Sequence, residues 1–429
     1  MMTYKETTDY LFNCVPLFQN VGKEAYKEGL YNTEALDEHF GHPHQNFKTI
    51  HIGGTNGKGS CSHTIAAILQ SAGYKVGLYT SPHLTDFRER IRVNGKMIPE
   101  DFVITFIENE RNFFEPLHPS FFELTTAMAF LYFAQEKVDV AVIEVGLGGR
   151  LDCTNIIHPD LSIITNISFD HVQFLGNTLT KIASEKAGII KSRIPVVIGE
   201  TVEETRRVFE EKAKAAHAPI IFAEDNPIVI SSEQKDFNRI YNTRTYGELT
   251  GELSGLCQEK NTNTILTAIE ELKKINYNIN ESNVRTGFLN VCKLTGLRGR
   301  WQVISKHPLI ICDTGHNPGG IQYIAQQISE FNGTIHIIIG MVNDKDIHTV
   351  LTLLPHKARY YFTKANVKRA LDEKDLQRAA AEAKLEGECY SGVREAFNEA
   401  MKNASPNDFI FIGGSTFIVA DFFAFYHQN

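Results

Sequence analysis

The fold is decided by one stretch of the chain, FKTIHIGGTNGKGSCSHTIAAILQSAG, residues 47–73. An apolar run of strand length is followed by a glycine-rich loop and then by a pattern typical of a helix. In such a loop, glycines let successive backbone N–H groups converge on phosphate oxygens, and the helix N-terminus adds its positive end. Lys58 adds a positive charge. The stretch therefore predicts a phosphate-binding loop, with a glycine-rich turn and a solvated lysine as the alternative.

The match to the common pattern G-x-x-x-x-G-K-[ST] is not complete. Gly59 stands between Lys58 and Ser60, whereas the common pattern has the hydroxyl directly after the lysine. We interpret this spacing as a variant of the same loop.

The alternation of strands and helices continues beyond the loop. Further apolar runs of strand length occupy residues 74–81, 137–149, 161–168 and 194–200, which is typical of βαβ units in a parallel sheet. Residues 223–255 are polar and lack helical periodicity, so a small antiparallel excursion is predicted there. A fresh series of strands follows the run KLTGLRGRW at 293–301. We predict an α/β fold: a P-loop parallel-sheet ATPase domain at 1–296, then a smaller doubly wound, Rossmann-like domain at 297–429.

Composition narrows the class of protein. A chain of 429 residues with 42% hydrophobic and 22% charged residues is expected to form two large globular domains. The sequence shows no signal peptide and no apolar run of membrane-spanning length, and its seven scattered cysteines form no CxxC pair. The net charge of −8 argues against nucleic-acid binding. We therefore expect a cytoplasmic monomer with reduced cysteines that binds neither nucleic acid nor membrane.

Further short motifs lie outside the loop. They are TSPHL (80–84), SFFE (120–123), GGRLDCTN (148–155), EKAGI (185–189) and DTGHNP (313–318). Together with GTNGKGS (54–60), they resemble the folylpolyglutamate synthase and dihydrofolate synthase family, within the wider Mur-ligase-like group of ATP-dependent amide ligases. The resemblance extends from about Tyr26 to near the C-terminus. It implies an enzyme that uses ATP and Mg²⁺ to activate a carboxylate as an acyl phosphate, which an amine then attacks.

The resemblance also implies which residues bind ATP. Arg300, Asp313 and Asn261 match positions that hold the nucleotide from across the cleft, and His316 is retained although the family's usual run is DGAHNP. From residue type alone, Asp313 could instead cap a turn, Arg300 could form a surface ion pair, and Asn261 could be a helix N-cap. The implied loop contacts are Thr55, Asn56, Gly57, Lys58, Gly59 and Ser60.

The metal ligands implied by the resemblance are Ser81, Glu144 and His171, at two Mg²⁺ sites. Ser81 precedes a proline and could equally form a turn. Glu144 ends an apolar strand, where a carboxylate is costly unless it meets a cation, which could also be a structural Arg or Lys. His171 could be a packed residue. Lys186 matches a lysine that the family carries as a carbamate, whereas its residue type alone favours a solvated helix lysine. The catalytic set implied is Lys58, Glu144, His171, Lys186 and His316.

The substrate follows from GGRLDCTN, which resembles the GGRLDATN run of the bifunctional bacterial branch. The resemblance implies L-glutamate addition to dihydropteroate and to folates, with a pterin pocket lined by Phe121, Phe122, Glu123, Arg150, Leu151, Asp152 and Cys153. The alternatives are a core role for the two aromatics and an ion pair between the arginine and the aspartate of the loop.

Three other functions are open on sequence. One is folylpolyglutamate synthase activity alone. A second is a peptidoglycan-type ligase, although only about fifty residues precede the loop, which is less than an ordinary domain. The third is a nucleotide-dependent switch or binding module, for which the base-reading motif Asn-Lys-x-Asp is absent from the sequence.

Overall fold

The computed structural model describes residues 2–13, 29–343 and 345–426. The chain forms two compact units. The first contains residues 1–233, 240–252 and 259–297, and the second contains residues 234–239, 253–258 and 298–429. The two short segments of the second unit carry no signal that we recognised in the sequence. The division into domains 1–296 and 297–429 stays a prediction.

The first unit is built on an eight-stranded sheet with the order β4-β3-β2-β5-β1-β6-β7-β8. Strand β1 pairs in parallel with β5 and β6, and the pairs β2 with β5, β6 with β7 and β7 with β8 are also parallel. The pairs β2 with β3 and β3 with β4, at one edge, are antiparallel. The strands are Lys48–Gly53 (β1), Val76–Tyr79 (β2), Ile91–Val93 (β3), Lys96–Met97 (β4), Val140–Glu144 (β5), Leu161–Ile164 (β6), Val196–Ile198 (β7) and Ile220–Phe222 (β8).

Strand β5 shows why the sequence of this sheet is almost continuously apolar. All five of its residues are buried. Val140 and Val142 belong to one hydrophobic cluster, whereas Ala141 and Ile143 belong to another. Successive side chains of a strand point to opposite faces, so both faces of the sheet are covered. Such a strand cannot show the alternation of apolar and polar residues that marks a half-exposed strand.

Helices complete the first unit, and a small sheet follows whose residues 234–239 are grouped with the second unit. The helix that follows β1 is buried along most of its length, as the apolar pattern of 60–73 predicts. The polar stretch after residue 223 forms a three-stranded sheet with the order β11-β10-β9, made of Val229–Lys235 (β9), Asn238–Thr243 (β10) and Gly247–Gly251 (β11). The α-helices are Tyr4–Asn13, Tyr31–His39, Lys58–Ser71, Glu100–Phe114, Phe121–Gln135, Val172–Leu175, Leu179–Lys186, Glu203–Ala215, Gln258–Lys274, Glu281–Leu289 and Val291–Thr295.

The second unit contains a six-stranded sheet with the order β12-β13-β17-β14-β15-β16. Its pairs are parallel except for β12 with β13, at the edge. The strands are Gln302–Lys306 (β12), Leu309–Cys312 (β13), Ile335–Ile339 (β14), Arg359–Phe362 (β15), Gly387–Cys389 (β16) and Phe409–Gly413 (β17). The helices are Pro318–Ser329, Ile347–Leu353, Glu373–Glu382, Val393–Asn403 and Thr416–Tyr426. The two parallel-rich sheets confirm the predicted α/β class.

The described residues contain neither a membrane-spanning helix nor a disulfide bond. No helix within 2–13, 29–343 and 345–426 is long and apolar enough to cross a membrane. None of the six cysteines in these ranges forms a disulfide, and Cys14 lies outside them.

Candidate active site

The phosphate loop joins the end of β1 to the helix that begins at Lys58. It is tied to the segment after β6, where the Thr55 amide donates to the Asn166 carbonyl (2.9 Å) and the Asn56 amide to Asn166 Oδ1 (2.9 Å). Ser168 N donates to Thr55 Oγ1 (3.0 Å). Two neighbouring strand ends therefore hold the loop in one conformation. Sequence reasoning missed Asn166 and Ser168, although a polar run directly after an apolar strand was a usable signal.

Two glycines of the loop have no room for a side chain. Gly54 has φ +135°, and a Cβ there would lie 1.9 Å from Thr165 Oγ1. Gly57, the residue before the helix, has φ +83°, and its Cβ would lie 2.3 Å from Asn261 Oδ1. Bare backbone thus lines the start of the helix, which is the environment that a phosphate group requires.

Asn261 lies in the same unit as the loop and inside a helix that begins at Gln258, so it is not the N-cap of that helix.

Replacing Gly54 with alanine is expected to lower the free energy of unfolding by about 3 kcal/mol. The new methyl group would clash with Thr165, and the backbone at residue 54 has a positive φ that is unfavourable for alanine. Gly73→Ala is the matched control, since Gly73 also has a positive φ (+89°) but nothing lies within 4 Å of its added Cβ. It should cost only about 1 kcal/mol. Urea unfolding of both variants measures the difference, and equal losses would contradict the steric argument.

Two lysines converge on the loop. Lys58 is partly buried, and its Nζ donates to the carbonyls of Gly54 (3.0 Å) and Thr55 (2.9 Å). Lys186, the last residue of its helix, is 5% exposed and donates to the same Gly54 carbonyl (2.9 Å). Burial, followed by the nearby Lys58 charge, lowers the pKa of Lys186 to about 7. Neither lysine is a solvated residue.

Glu144 ends β5 and is 3% exposed. Its Oε2 accepts a hydrogen bond from the Ser81 amide (3.1 Å), which follows the neighbouring strand β2. The structure thus brings these two predicted metal ligands together. Arg90 is also buried; burial lowers its pKa to about 10, and the negative charge of the Glu144 carboxylate opposes this shift. A structural arginine near Glu144, which the sequence left open, is therefore present.

His171 lies at a turn after β6, in the left-handed region (φ 49°), and is the N-cap of the one-turn helix Val172–Leu175. Its amide donates to Asp170 Oδ1 (2.8 Å), and its ring Nε2 is 3.9 Å from the same oxygen. Within the described ranges, no three His, Cys, Asp or Glu side chains form a group that could hold a metal ion. A hydroxyl and a carboxylate oxygen suit Mg²⁺, which commonly takes one or two protein ligands and completes its shell with phosphate oxygens and water. Ser81 and Glu144 fit this pattern.

The segment 146–155 is bonded to its surroundings mainly through its backbone. The Arg150 amide donates to the Glu185 carbonyl (2.8 Å), and the exposed Arg150 side chain pairs with the Glu185 carboxylate (2.9 Å). Asp152 is 4% exposed and accepts from the amides of Leu147 (2.8 Å) and Thr154 (3.0 Å). The ion pair described for Arg150 is with Glu185, whereas Asp152 is bonded to backbone amides.

The residues predicted to line the pterin pocket fall into two groups. Phe121 is 2% exposed and belongs to a hydrophobic cluster, as the core alternative proposed. Glu123 is buried and completes a capping box, because its carboxylate accepts from the Ser120 amide (2.5 Å) at the start of the helix. The motif S-x-x-E was a readable signal for this role. Exposed surface remains on Phe122, Arg150, Leu151 and Cys153.

In the second unit, Asp313 follows β13 and accepts from the amides of Trp301 (2.6 Å) and Gly315 (2.7 Å). It caps a turn, as one alternative suggested, and burial raises the pKa of its carboxyl while the Arg300 charge opposes this. The Arg300 guanidinium donates to the Thr314 hydroxyl, and His316 Nδ1 lies 3.0 Å from the Thr314 carbonyl. One turn therefore gathers Arg300, Asp313 and His316.

The chain contains the two domains of a Mur ligase. A family model for the Mur ligase middle domain matches residues 52–250, and one for the Mur ligase glutamate ligase domain matches residues 299–416. The chain belongs to the dihydrofolate synthase/folylpolyglutamate synthase family, as the sequence motifs predicted.

Individual relatives support this assignment along almost the whole chain. The dihydrofolate synthase/folylpolyglutamate synthase of Bacillus subtilis (strain 168) is 33% identical over 417 residues, covering 93% of this chain and 95% of that protein. The enzyme of the same name from Escherichia coli (strain K12) is 32% identical, covering 86% and 84%.

Solved structures agree with the sequence relatives. The structure of E. coli FolC in complex with DHPP and ADP has a TM-score of 0.85 and 29% identity, covering 100% of this chain and 98% of that one. The structure of a bifunctional folylpolyglutamate synthase/dihydrofolate synthase with Mn, AMPPNP and L-glutamate bound has a TM-score of 0.82 and 27% identity, covering 100% of this chain and 98% of that one.

Proposed function

We propose that this chain is an ATP-dependent ligase that adds L-glutamate to dihydropteroate and to (tetrahydro)folates. The observation that carries the proposal is local to the first unit. A phosphate loop with Lys58, a buried carboxylate hydrogen-bonded to Ser81 N, and the GGRLDCTN segment are built on neighbouring strand ends of one sheet. The carboxyl ends of parallel strands are where α/β proteins bind ligands.

The chemistry that we propose has two balanced steps. A carboxylate oxygen of the pterin acid attacks the γ-phosphorus of ATP, and the bond to the β-phosphate oxygen breaks to release ADP. The glutamate amine then attacks the acyl carbon of the acyl phosphate, inorganic phosphate leaves, and the nitrogen loses a proton. Positioning and charge neutralisation supply most of the catalysis in phosphoryl transfer, so a protein nucleophile is not needed.

Roles follow for the residues of the first unit. Lys58 neutralises charge on the transferred phosphoryl group, and the loop residues 55–60 position the phosphates through backbone amides and hydroxyls, with Asn261 beside them. Ser81 and Glu144 are proposed to hold one Mg²⁺, and His171 a second. When bound, Mg²⁺ neutralises phosphate charge and orients the transferred group.

The remaining roles concern the pterin and the nucleotide. The partly exposed side chains Phe122, Arg150, Leu151 and Cys153 are proposed to face the pterin, while Phe121, Glu123 and Asp152 shape the pocket from behind. Cys153 stands where the family usually has alanine, a small increase in volume. In the second unit, Arg300, Asp313 and His316 are proposed to contact the nucleotide or the acyl phosphate. The monomeric state and the cytoplasmic location stay predictions.

Lys186 is proposed to carry a carbamate. Its pKa of about 7 supports this, because a neutral amine can attack CO₂ and release a proton at ordinary pH. We expect protein incubated with isotope-labelled bicarbonate to show a bound carbamate carbon by NMR that disappears in Lys186→Arg. Lys191→Arg is the control and should keep the signal, since Lys191 also has a lowered pKa but donates to the Asn155 carbonyl and not to the phosphate loop. A signal that survives in Lys186→Arg would contradict the assignment.

The function is tested by supplying ATP, Mg²⁺ and L-glutamate with either dihydropteroate or tetrahydrofolate, and identifying products by mass spectrometry. We expect one glutamate to be joined to each. Extension of tetrahydrofolate without dihydrofolate formation would leave folylpolyglutamate synthase activity alone. Phosphate release that does not depend on glutamate and yields no amide would instead favour a nucleotide-dependent switch.

A further inference from the structure

A buried chain of hydrogen bonds connects β1 to the GGRLDCTN segment. His51 Nε2 lies 2.8 Å from Thr154 Oγ1, and Thr154 Oγ1 lies 2.5 Å from Asp152 Oδ1. His51 and Thr154 are fully buried, and Asp152 is 4% exposed. The roles proposed above use neither His51 nor Thr154.

The direction of each hydrogen bond is fixed by counting protons. The Asp152 carboxylate accepts from the amides of Leu147 and Thr154, and the Thr154 hydroxyl donates to its Oδ1. Because a hydroxyl has one proton, Thr154 donates it to Asp152 and can only accept from His51. His51 must therefore carry its proton on Nε2.

The other ring nitrogen is consistent with this tautomer. His51 Nδ1 is buried and has no hydrogen-bond partner among the described residues. A proton on Nδ1 would be a buried donor without an acceptor, which costs more than a bare nitrogen. Burial also lowers the pKa of His51 to about 3, with a smaller contribution from the Lys191 charge.

These hydrogen bonds link a rigid strand to the turn that is proposed to face the pterin. His51 lies in β1, two residues before the strand ends at Gly53, and its backbone is fixed between β5 and β6. Asp152 in turn holds the amides of Leu147 and Thr154. One rigid strand thus sets the conformation of the turn that presents Arg150, Leu151 and Cys153.

We propose that His51, as the neutral Nε2–H tautomer, is a positioning residue that holds the Thr154 hydroxyl and the Asp152 carboxylate and so sets the shape of the site for the pterin acid. The inference rests on the proposed function, because that function assigns the pterin to segment 146–155.

The first test is spectroscopic and uses the unaltered protein. With isotope-labelled histidine, NMR should show the imidazole of His51 protonated on Nε2 alone, with no titration from pH 6 to 8 because its pKa is about 3. The signal is assigned by its loss in His51→Gln. An Nδ1–H tautomer or an imidazolium at neutral pH would overturn the inference without any measurement of activity.

The second test separates the two ring nitrogens by substitution. The amide nitrogen of Gln can replace Nε2, whereas that of Asn replaces Nδ1. We expect His51→Gln to keep KM for dihydropteroate within about twofold, and His51→Asn to raise it about tenfold while KM for ATP changes less than about twofold. Thr154→Val should raise KM for dihydropteroate to a similar extent, and Thr154→Ser should not.

A buried histidine in the same unit provides the control. His63 Nδ1 lies 2.8 Å from Thr295 Oγ1, and Thr295 donates onward to a backbone carbonyl, so His63→Gln removes an equivalent hydrogen bond away from the segment. It should leave KM for dihydropteroate unchanged. Equal KM values in His51→Asn and His51→Gln would overturn the inference while the proposed function stands. If the native protein forms no dihydrofolate, the proposed dihydropteroate activity fails and the inference fails with it.

Discussion

Lys58→Ala is expected to lower kcat/KM for ligation by about 10³-fold, which is the size of effect expected when one preorganised hydrogen-bond donor is removed from an active site. Lys58 is partly buried and held over the loop by two backbone carbonyls, so its ammonium group is fixed where the phosphates are proposed to lie. No other residue within 54–60 carries a charge. Initial rates of amide formation, followed by mass spectrometry at saturating glutamate, measure the loss.

The loss should not come from unfolding. Alanine is a good helix former at the first position of the helix Lys58–Ser71, and the two lost hydrogen bonds should cost about 1–2 kcal/mol. Lys48→Ala is the control at the other end of β1, where the lysine is 59% exposed and 4.0 Å from Asp160. It should keep activity within about twofold. A Lys58→Ala enzyme with native turnover would remove this lysine from the mechanism.

The sequence was informative where the signal is local. The phosphate loop could be predicted because Gly54 and Gly57 adopt positive φ values that favour glycine, and the strand β5 because it is buried on both faces. The short segments 234–239 and 253–258 could not be assigned to the second unit. Their grouping depends on contacts with residues distant in sequence, which no local pattern encodes.

Individual roles in the site were harder to predict than its location. Phe121 and Phe122 are adjacent and of the same type, yet only Phe122 keeps exposed surface, because the helix periodicity turns the two rings to different directions. The Thr154 amide is a local N-cap partner of Asp152, two residues along the chain, whereas no local pattern predicts that the same carboxylate also binds the Leu147 amide. Residue type identifies the chemistry, and the tertiary fold decides which atoms are available for it.

Glu144→Gln is the second large effect that we expect, a loss of about 10³-fold in kcat with a raised Mg²⁺ requirement. Glutamine keeps the size of the side chain and can still accept from the Ser81 amide, so the change is close to removal of a charge alone. Glu144 is 3% exposed, and its carboxylate at the strand end binds a hard cation such as Mg²⁺ far better than the neutral amide of glutamine does. Rates measured across a Mg²⁺ titration give both quantities.

The stability of this variant separates the two roles that Glu144 can have. Arg90 keeps its hydrogen bond to His83 Nδ1 (2.7 Å) and its position over the Phe121 ring (5.0 Å), so loss of the Glu144 charge should cost less than about 2 kcal/mol. If Glu144 served mainly as the partner of Arg90, unfolding would become much easier while the folded fraction kept its turnover. Glu136→Gln is the control, because it removes a carboxylate that pairs with Lys75 at the surface (2.8 Å) and should change neither property. An active but strongly destabilised Glu144→Gln enzyme would assign the carboxylate to the fold, because a metal ligand that is lost must slow the reaction in every molecule that remains folded.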